Sequence, residues 1–247
     1  MSEVKKSQLS PVFKNLESAL HTWWKHLKKF VMVYVWGLIH GLVPLAAAAL
    51  LSGFMYWRGG SNSVTDSLIS IIIFVAALIA AYYFIRGYLG AFLLLKNNYE
   101  GDEKAIYKST EAYFWPYLGL ALLTAVFVLL WSLLLIIPGI IYGIFYSFSV
   151  FAFFFEDKRG RAAMRRSTDL ITGYWWPVFG RLAFIAFVVW LFTVIVSLPM
   201  YYVAIDSVFY QIWSIVVQVI SFLVGPIVLI YDYHIYRDLV NIKDKKD

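Results

Sequence analysis

The side chains best suited to take part in a chemical reaction lie between Glu156 and Asp169, a segment that contains both carboxylates and arginines. Two carboxylates such as Glu156 and Asp157 can perform general acid–base chemistry when both face one substrate. Adjacent residues on a helix, however, point about 100° apart and do not converge on one group. Ion pairs with neighbouring arginines and the helix dipole explain the acids more simply. We therefore predict that they stabilise the fold and catalyse no reaction.

Nucleophilic and metal chemistry have equally little support in the sequence. Ser109-Thr110 and Ser167-Thr168 each precede an acid, but no base accompanies either pair. There is no cysteine, and the four histidines lack the spacing that places two metal ligands on one helical face. The glycines form no phosphate-binding loop. We predict that the chain is not an enzyme and has no cofactor or metal.

Arg86 is the most unusual residue because it lies inside the apolar run 68–95. An arginine near the middle of a bilayer is expensive and normally faces a partner, a carbonyl or a water-filled cavity. One interpretation is a contact with an anion or a lipid headgroup. In the other interpretation, which we favour, the membrane crossing ends at residue 85 and the Arg86 side chain extends to the inner interface. For His40, in the first apolar run, we predict a neutral interhelical hydrogen bond.

A duplicated stretch indicates how these groups are positioned. Ala105–Pro138 and Ala163–Pro199 each contain a polar segment, an aromatic cluster with a proline, and an apolar run that ends at a second proline. Each run is long enough to cross a bilayer. We interpret the pair as an internal duplication. The matched positions are Ala105, Lys108, Ser109, Thr110 and Glu111 with Ala163, Arg166, Ser167, Thr168 and Asp169, and Tyr113, Trp115, Pro116, Gly119 and Pro138 with Tyr174, Trp176, Pro177, Gly180 and Pro199.

Composition and charge distribution predict a polytopic membrane protein. Hydrophobic residues make up 62% of the chain and charged residues 15%, against about 45–50% and 25% in soluble domains. Of the 21 lysines and arginines, all but three lie in four alternate segments: 1–30, 96–116, 156–177 and after 231. This positive-inside pattern places both termini in the cytoplasm and makes nucleic-acid binding the poorer explanation of the basic charge. The six predicted spans are 31–55, 68–95, 117–137, 139–156, 178–204 and 207–232.

An amphipathic segment precedes each odd-numbered span. In 11–29 and 158–176 the apolar residues recur at helical spacing, while basic residues occupy other faces; the middle copy is weaker. All three segments end in tryptophan or tyrosine, which favour the headgroup level. We therefore predict helices that lie along the cytoplasmic interface and turn into the membrane at Pro116 and Pro177. We also expect Pro138-Gly139 to form the tight turn between the third and fourth spans.

The region from Pro138 to Gly180 resembles a known family. Its signature there is an acidic turn with glycine, then an arginine-serine pair, then two tryptophans, here Glu156, Asp157, Gly160, Ala163, Arg166, Ser167, Trp175 and Trp176. The region is similar to uncharacterised prokaryotic six-span proteins related to the membrane domain of some glycerophosphodiester phosphodiesterases. The resemblance implies a membrane fold and transfers no active site, and we expect no soluble phosphodiesterase domain.

Together these patterns predict an all-α membrane domain, 1–247, made of three parallel hairpins: 1–98, 99–157 and 158–247. We predict a non-catalytic scaffold or assembly factor of the prokaryotic cytoplasmic membrane that binds lipids, a membrane protein or a second copy of the chain. The alternative is a transporter or facilitator for a small or amphipathic solute. The residues expected to contact lipid or a partner are Arg86, Arg165, Arg166, Trp115, Trp175 and Trp176.

Overall fold

The structure is a computed structural model that describes residues 9–60 and 62–245. These residues form nine α-helices, one short 3-10 helix and no strand, which confirms the predicted all-α class. The α-helices are α1 (Val12–Gly59), α2 (Ser63–Lys96), α3 (Glu103–Ser109), α4 (Glu111–Leu134), α5 (Ile136–Phe145), α6 (Ser149–Phe155), α7 (Arg161–Ile171), α8 (Trp175–Ser197) and α9 (Val208–Lys243), and the 3-10 helix is Leu198–Tyr202.

Six helical segments of the described chain are long and apolar enough to cross a membrane. The count agrees with the six predicted spans, and it identifies a multi-pass membrane protein. Large apolar side chains on these segments, such as Leu133 and Ile136, are exposed, as contact with lipid requires. The segments are Val12–Gly59, Ser63–Lys96, Glu111–Leu134, Ile136–Phe155, Trp175–Tyr202 and Val208–Lys243.

The first amphipathic segment is not a separate helix. The sequence predicts an interfacial helix over 11–29 followed by a span over 31–55, but α1 runs without a break through both. The junction, from Lys29 to Val31, contains neither glycine nor proline, so nothing there interrupts the helical hydrogen bonds. Pro44, further along, is also accommodated within α1.

The turns predicted at Pro116, Pro138 and Pro177 lie earlier in the chain, because each of these prolines is already inside a helix. Pro138 is the third residue of α5 and Pro177 the third of α8, while Pro116 is the sixth residue of α4. Proline is tolerated at the start of a helix because the first N–H groups have no helical partner there. The break before α5 is the extended Leu135. Gly139, inside α5, permits close approach to α4, because a Cβ at this position would lie 2.9 Å from the Cα of Ser132.

The chain forms two compact units, whose boundaries differ from those of the three predicted hairpins. The smaller unit is Leu27–Pro116, and the larger unit combines Met1–His26 with Tyr117–Asp247. The prediction of a single membrane domain over 1–247 stays a prediction.

In the smaller unit, α1 contacts α2 at glycines, and α3 packs on α2. A Cβ on Gly37 would lie 2.9 Å from the carbonyl oxygen of Tyr83 and 3.1 Å from the Cα of Gly87, so only glycine allows this backbone contact. Beyond this contact, α2 is buried from Leu89 to Leu95.

In the larger unit, α7 packs on α6 and α9, and α8 packs on α9. The buried core of this unit is rich in aromatic rings, including Phe148, Phe154 and Tyr231. The N-terminal part of α1 joins it, because the indole nitrogen of Trp23 donates to the carbonyl of Leu223 over 3.0 Å.

Candidate functional site

Arg86 is buried in the smaller unit, with 7% of its surface exposed, so protein groups enclose its guanidinium; its position at the inner interface stays a prediction. Its Nε donates to the Thr110 hydroxyl over 3.0 Å. One terminal nitrogen donates to the Tyr82 hydroxyl over 3.2 Å, and the other donates to the carbonyls of Tyr107 and Lys108 over 3.3 and 3.4 Å.

These partners make Arg86 a cap for the C-terminal end of α3. A cation at that end complements the helix dipole, and it adds a donor to the Tyr107 carbonyl, which also accepts from the N–H and the hydroxyl of Thr110. The ring centroids of Tyr82 and Tyr107 lie 5.3 and 4.9 Å from the guanidinium carbon, and a carboxylate oxygen of the exposed Glu111 lies 3.7 Å from a terminal guanidinium nitrogen. The N–H groups of Arg86 therefore donate to protein groups, which argues against its predicted role as a lipid contact.

His40 also bonds differently from its prediction. Its Nδ1 lies 2.7 Å from the carbonyl of Trp36, four residues earlier in the same helix, so the bond is not interhelical. A carbonyl only accepts, which makes Nδ1 the donor. The His40 ring stacks on Tyr107 with 5.5 Å between centroids, and burial raises the pKa of the Tyr107 phenol to about 12.

Helix α7 carries the main cluster of charge in the larger unit. It begins after Gly160 (φ +50°) and ends before Gly173 (φ +87°), two positions with positive φ. Its apolar stripe follows the predicted pattern, but α6 and α9 pack on this helix, so protein covers the stripe. The buried residues are Ala163, Met164, Ser167, Leu170 and Ile171.

Two polar contacts fix α7 to its neighbours. The Nε of Arg166 donates to both carboxylate oxygens of Glu156, over 2.9 and 2.8 Å, and its terminal nitrogen donates to Asp244 over 3.0 Å. The hydroxyl of Ser167 accepts from the Phe148 N–H and donates to the Phe145 carbonyl. Neither residue is therefore free to act as a base or a nucleophile.

Glu156 is the centre of this ionic network. It also accepts a hydrogen bond from the Tyr236 hydroxyl over 2.7 Å and lies 3.3 Å from the ammonium of Lys158. Burial raises the pKa of Glu156, but the hydrogen bonds from Tyr236 and Arg166 outweigh it and leave the pKa below its ordinary value. Glu156 is thus held ionised as an anchor.

A cleft of about 590 Å³ opens along the exposed face of α7. It adjoins a second cleft of about 360 Å³, which shares Arg161, Arg165 and Asp169 with the first. We call the two together the α7 cleft; its volumes lie in the range of small-molecule sites, about 300–1,000 Å³. The lining residues of the first part are Lys158, Arg161, Ala162, Arg165, Arg166 and Asp169, and the second part adds Phe127, Tyr146, Met164 and Thr168.

Arg161 and Arg165 differ from the other cations of the α7 cleft. Lys158 and Arg166 are paired with Glu156, and Arg166 also with Asp244. The guanidinium groups of Arg161 and Arg165 make no hydrogen bond or ion pair with residues 9–60 or 62–245. They lie one turn apart on the same helical face, where like charges repel. The arrangement can bind an anion.

The predicted tryptophan contacts lie outside the α7 cleft. Trp115 and Trp176 are 71% and 74% exposed. Trp175 is partly covered, since its indole nitrogen donates to the Ile141 carbonyl over 3.3 Å and its ring stacks on Phe179. Of the six predicted contact residues, the structure brings together Arg165 with Arg166, in the cleft, and Trp175 with Trp176, whose ring centroids are 4.7 Å apart.

Sequence reasoning missed the hydrogen-bond partners of Arg86 and Arg166 and several buried polar atoms. In the larger unit, Nδ2 of Asn15, Nε of Arg181, the hydroxyl of Tyr231 and Oδ1 of Asp232 are buried and have no hydrogen-bond partner among the described residues. Asp232 stands at the end of the sixth predicted span, where hydropathy alone gives no sign of burial. Within the described residues, no three histidine or acidic side chains are grouped so that they could hold a metal ion.

No family model matches the sequence, and neither a curated protein nor a solved structure matches it. The resemblance to the membrane domain of glycerophosphodiester phosphodiesterases therefore stays a prediction.

Proposed function

We propose that the chain is a non-catalytic integral membrane protein that binds phospholipid headgroups through their phosphate in the α7 cleft, as a scaffold or assembly factor. The observation that carries this proposal is the pair of unpartnered guanidinium groups, Arg161 and Arg165, beside Phe127 of a candidate membrane span.

The chemistry of the α7 cleft supports a phosphate ligand. A guanidinium donates in a planar fork that fits two phosphate oxygens, and such charge-assisted bonds are about twice as strong as neutral ones. Basic residues next to a membrane-spanning segment attract the phosphates of lipid headgroups. Phe127 and Met164 add the apolar surface that an amphiphile needs.

We further propose that the chain lies in a cytoplasmic membrane with both termini and α7 on the cytoplasmic side. The alternation of basic segments supports this orientation. The duplicated sequence supports an origin from repeated hairpins, since its two copies include α4 and α8, which are both candidate spans.

Thermal unfolding in detergent tests the proposed function. Added short-chain phosphatidylglycerol should raise the unfolding temperature of the full chain, and a phosphate-free glycolipid with the same chains should not. The variant Arg161→Gln/Arg165→Gln should lose the phospholipid effect. Arg159→Gln is the matched control, because Arg159 lies on the ring of Phe153, 5.2 Å from its centroid, and does not line the cleft. Equal stabilisation by both lipids would contradict the proposal.

A transporter is the second candidate because of Asp232. Ion-coupled carriers need ionisable groups within the membrane, and this acid lies in a candidate span with Oδ1 buried and unpartnered among the described residues. Proteoliposomes with an internal pH-sensitive dye test this function under an imposed potential. Proton flux that Asp232→Asn abolishes would favour transport; its absence would leave lipid binding as the better account.

A further inference from the structure

We propose that the α7 cleft selects a headgroup that carries an amine as well as a phosphate, with Asp169 as the residue that selects it. This inference rests on the proposed function, because it assigns the phosphate to Arg161 and Arg165. It concerns the carboxylate of Asp169, whose negative charge is left unmatched when a phosphate binds to the two arginines.

Asp169 lies among the cations but has no ionic partner in the described chain. It lines both parts of the cleft together with Arg161 and Arg165. The three residues follow one another at intervals of four along α7, so neighbouring members are about 6 Å apart along the helix axis. A phosphate bound to both arginines would therefore have a carboxylate one turn away, which disfavours a second anionic group there.

The aromatic side of the cleft favours a cation beside Asp169. Phe127 and Tyr146 line this part, and their rings meet edge to face with centroids 6.4 Å apart. Aromatic faces attract ammonium groups through the ring quadrupole. A carboxylate with two aromatic rings is thus suited to an amine, whereas the arginine side is suited to a phosphate.

The phosphoethanolamine headgroup matches this order of charges. Two carbons separate its phosphate ester from its nitrogen, a span comparable with one helical turn of about 5.4 Å. Its primary ammonium can donate hydrogen bonds to a carboxylate, which a quaternary choline cannot. Phosphatidylglycerol supplies the same phosphodiester without the amine, so it isolates the contribution of Asp169.

Calorimetric titration of the full chain in detergent tests the inference with three short-chain lipids: phosphatidylethanolamine, phosphatidylcholine and phosphatidylglycerol. We expect phosphatidylethanolamine to bind about tenfold more tightly than phosphatidylglycerol, a difference of about 1.4 kcal/mol. Asp169→Asn should abolish or reverse this preference while phosphatidylglycerol still binds. Asp206→Asn, the same substitution at an exposed acid that does not line the cleft, is the control and should keep the preference.

The outcomes separate this inference from the proposed function. If all three lipids bind equally through Arg161 and Arg165, and Asp169→Asn changes nothing, the amine selection is wrong and phosphate binding stands. If Asp169→Asn weakens phosphatidylcholine as much as phosphatidylethanolamine, the selection is for positive charge alone, and the primary amine is wrong. If no lipid depends on the two arginines, both proposals fail.

Discussion

The Nε of Arg86 donates to the hydroxyl of Thr110 over 3.0 Å, and both residues are almost completely buried. The contact ties an arginine of the second apolar helix to the residue that joins α3 to α4. A buried guanidinium with oxygen partners escapes most of the cost of an isolated charge, because its donors are satisfied. It also means that a substitution at Arg86 removes several bonds at once.

We predict that Arg86→Lys destabilises the protein by about 1.5–3 kcal/mol, the value of a hydrogen bond to a charged group. Lysine keeps the charge but cannot reach Thr110 and the α3 carbonyls with one planar fork. Thermal unfolding in matched detergent measures the loss. Arg58→Lys, at the end of α1, is the control and should be silent, and an equally silent Arg86→Lys would show that these hydrogen bonds contribute little.

Glu156 should make stability depend on pH. Its folded-state pKa is lowered, so its contribution is present above the ordinary glutamate value of 4.5 and is lost as pH falls through the lower folded value. Glu156→Gln should therefore destabilise at neutral pH and flatten the acid limb of the stability curve. Tyr236→Phe should flatten the acid limb less, since Glu156 then loses only one of its hydrogen-bond donors. Glu100→Gln, at an exposed acid, serves as control; an unchanged acid limb in Glu156→Gln would refute the anchor role.

Gly139→Ala should destabilise by about 1–3 kcal/mol, the range for overpacking. The added carbon would meet the backbone of Ser132 at 2.9 Å, which a side-chain rotation cannot relieve. Gly143→Ala, in the same helix, meets nothing within 4 Å and should be neutral or stabilising. Chemical or thermal unfolding of both variants compares them, and equal effects would show that the α4–α5 contact is looser than described.

Reporter fusions test the orientation. Fusions after residues 60, 138 and 205 should report the exterior, and those after 110 and 170 the cytoplasm, because the basic segments stay inside. A cytoplasmic signal after 138 or 205 would overturn the map.

The six apolar segments were predictable because span length and hydropathy are local properties of the sequence. The helix boundaries were not, because Pro138 and Pro177 fit within the first turn of a helix as readily as before it. The burial of Arg86 was not predictable for a different reason: its partner, Thr110, is 24 residues away, and burial of a cation depends on such distant contacts.

The candidate site was predictable only in part. Arg165 and Arg166 were identified as contact residues, yet their side chains have different surroundings, since Arg166 is held by Glu156 and Asp244 and Arg165 is not. Spacing within one helix cannot distinguish them, because the difference comes from α6 and the end of α9. The same limit explains why Asp244 and Tyr236 were missed.

Native mass spectrometry of the detergent-extracted full chain tests the central claim most directly. Phospholipid bound per chain should be high for the wild type and for Arg159→Gln, and it should fall about tenfold or more in Arg161→Gln/Arg165→Gln, as expected when charge-assisted contacts to phosphate are lost. All three proteins should unfold at similar temperatures before lipid is added. Equal phospholipid retention by the double variant and the wild type would contradict phosphate binding in the α7 cleft.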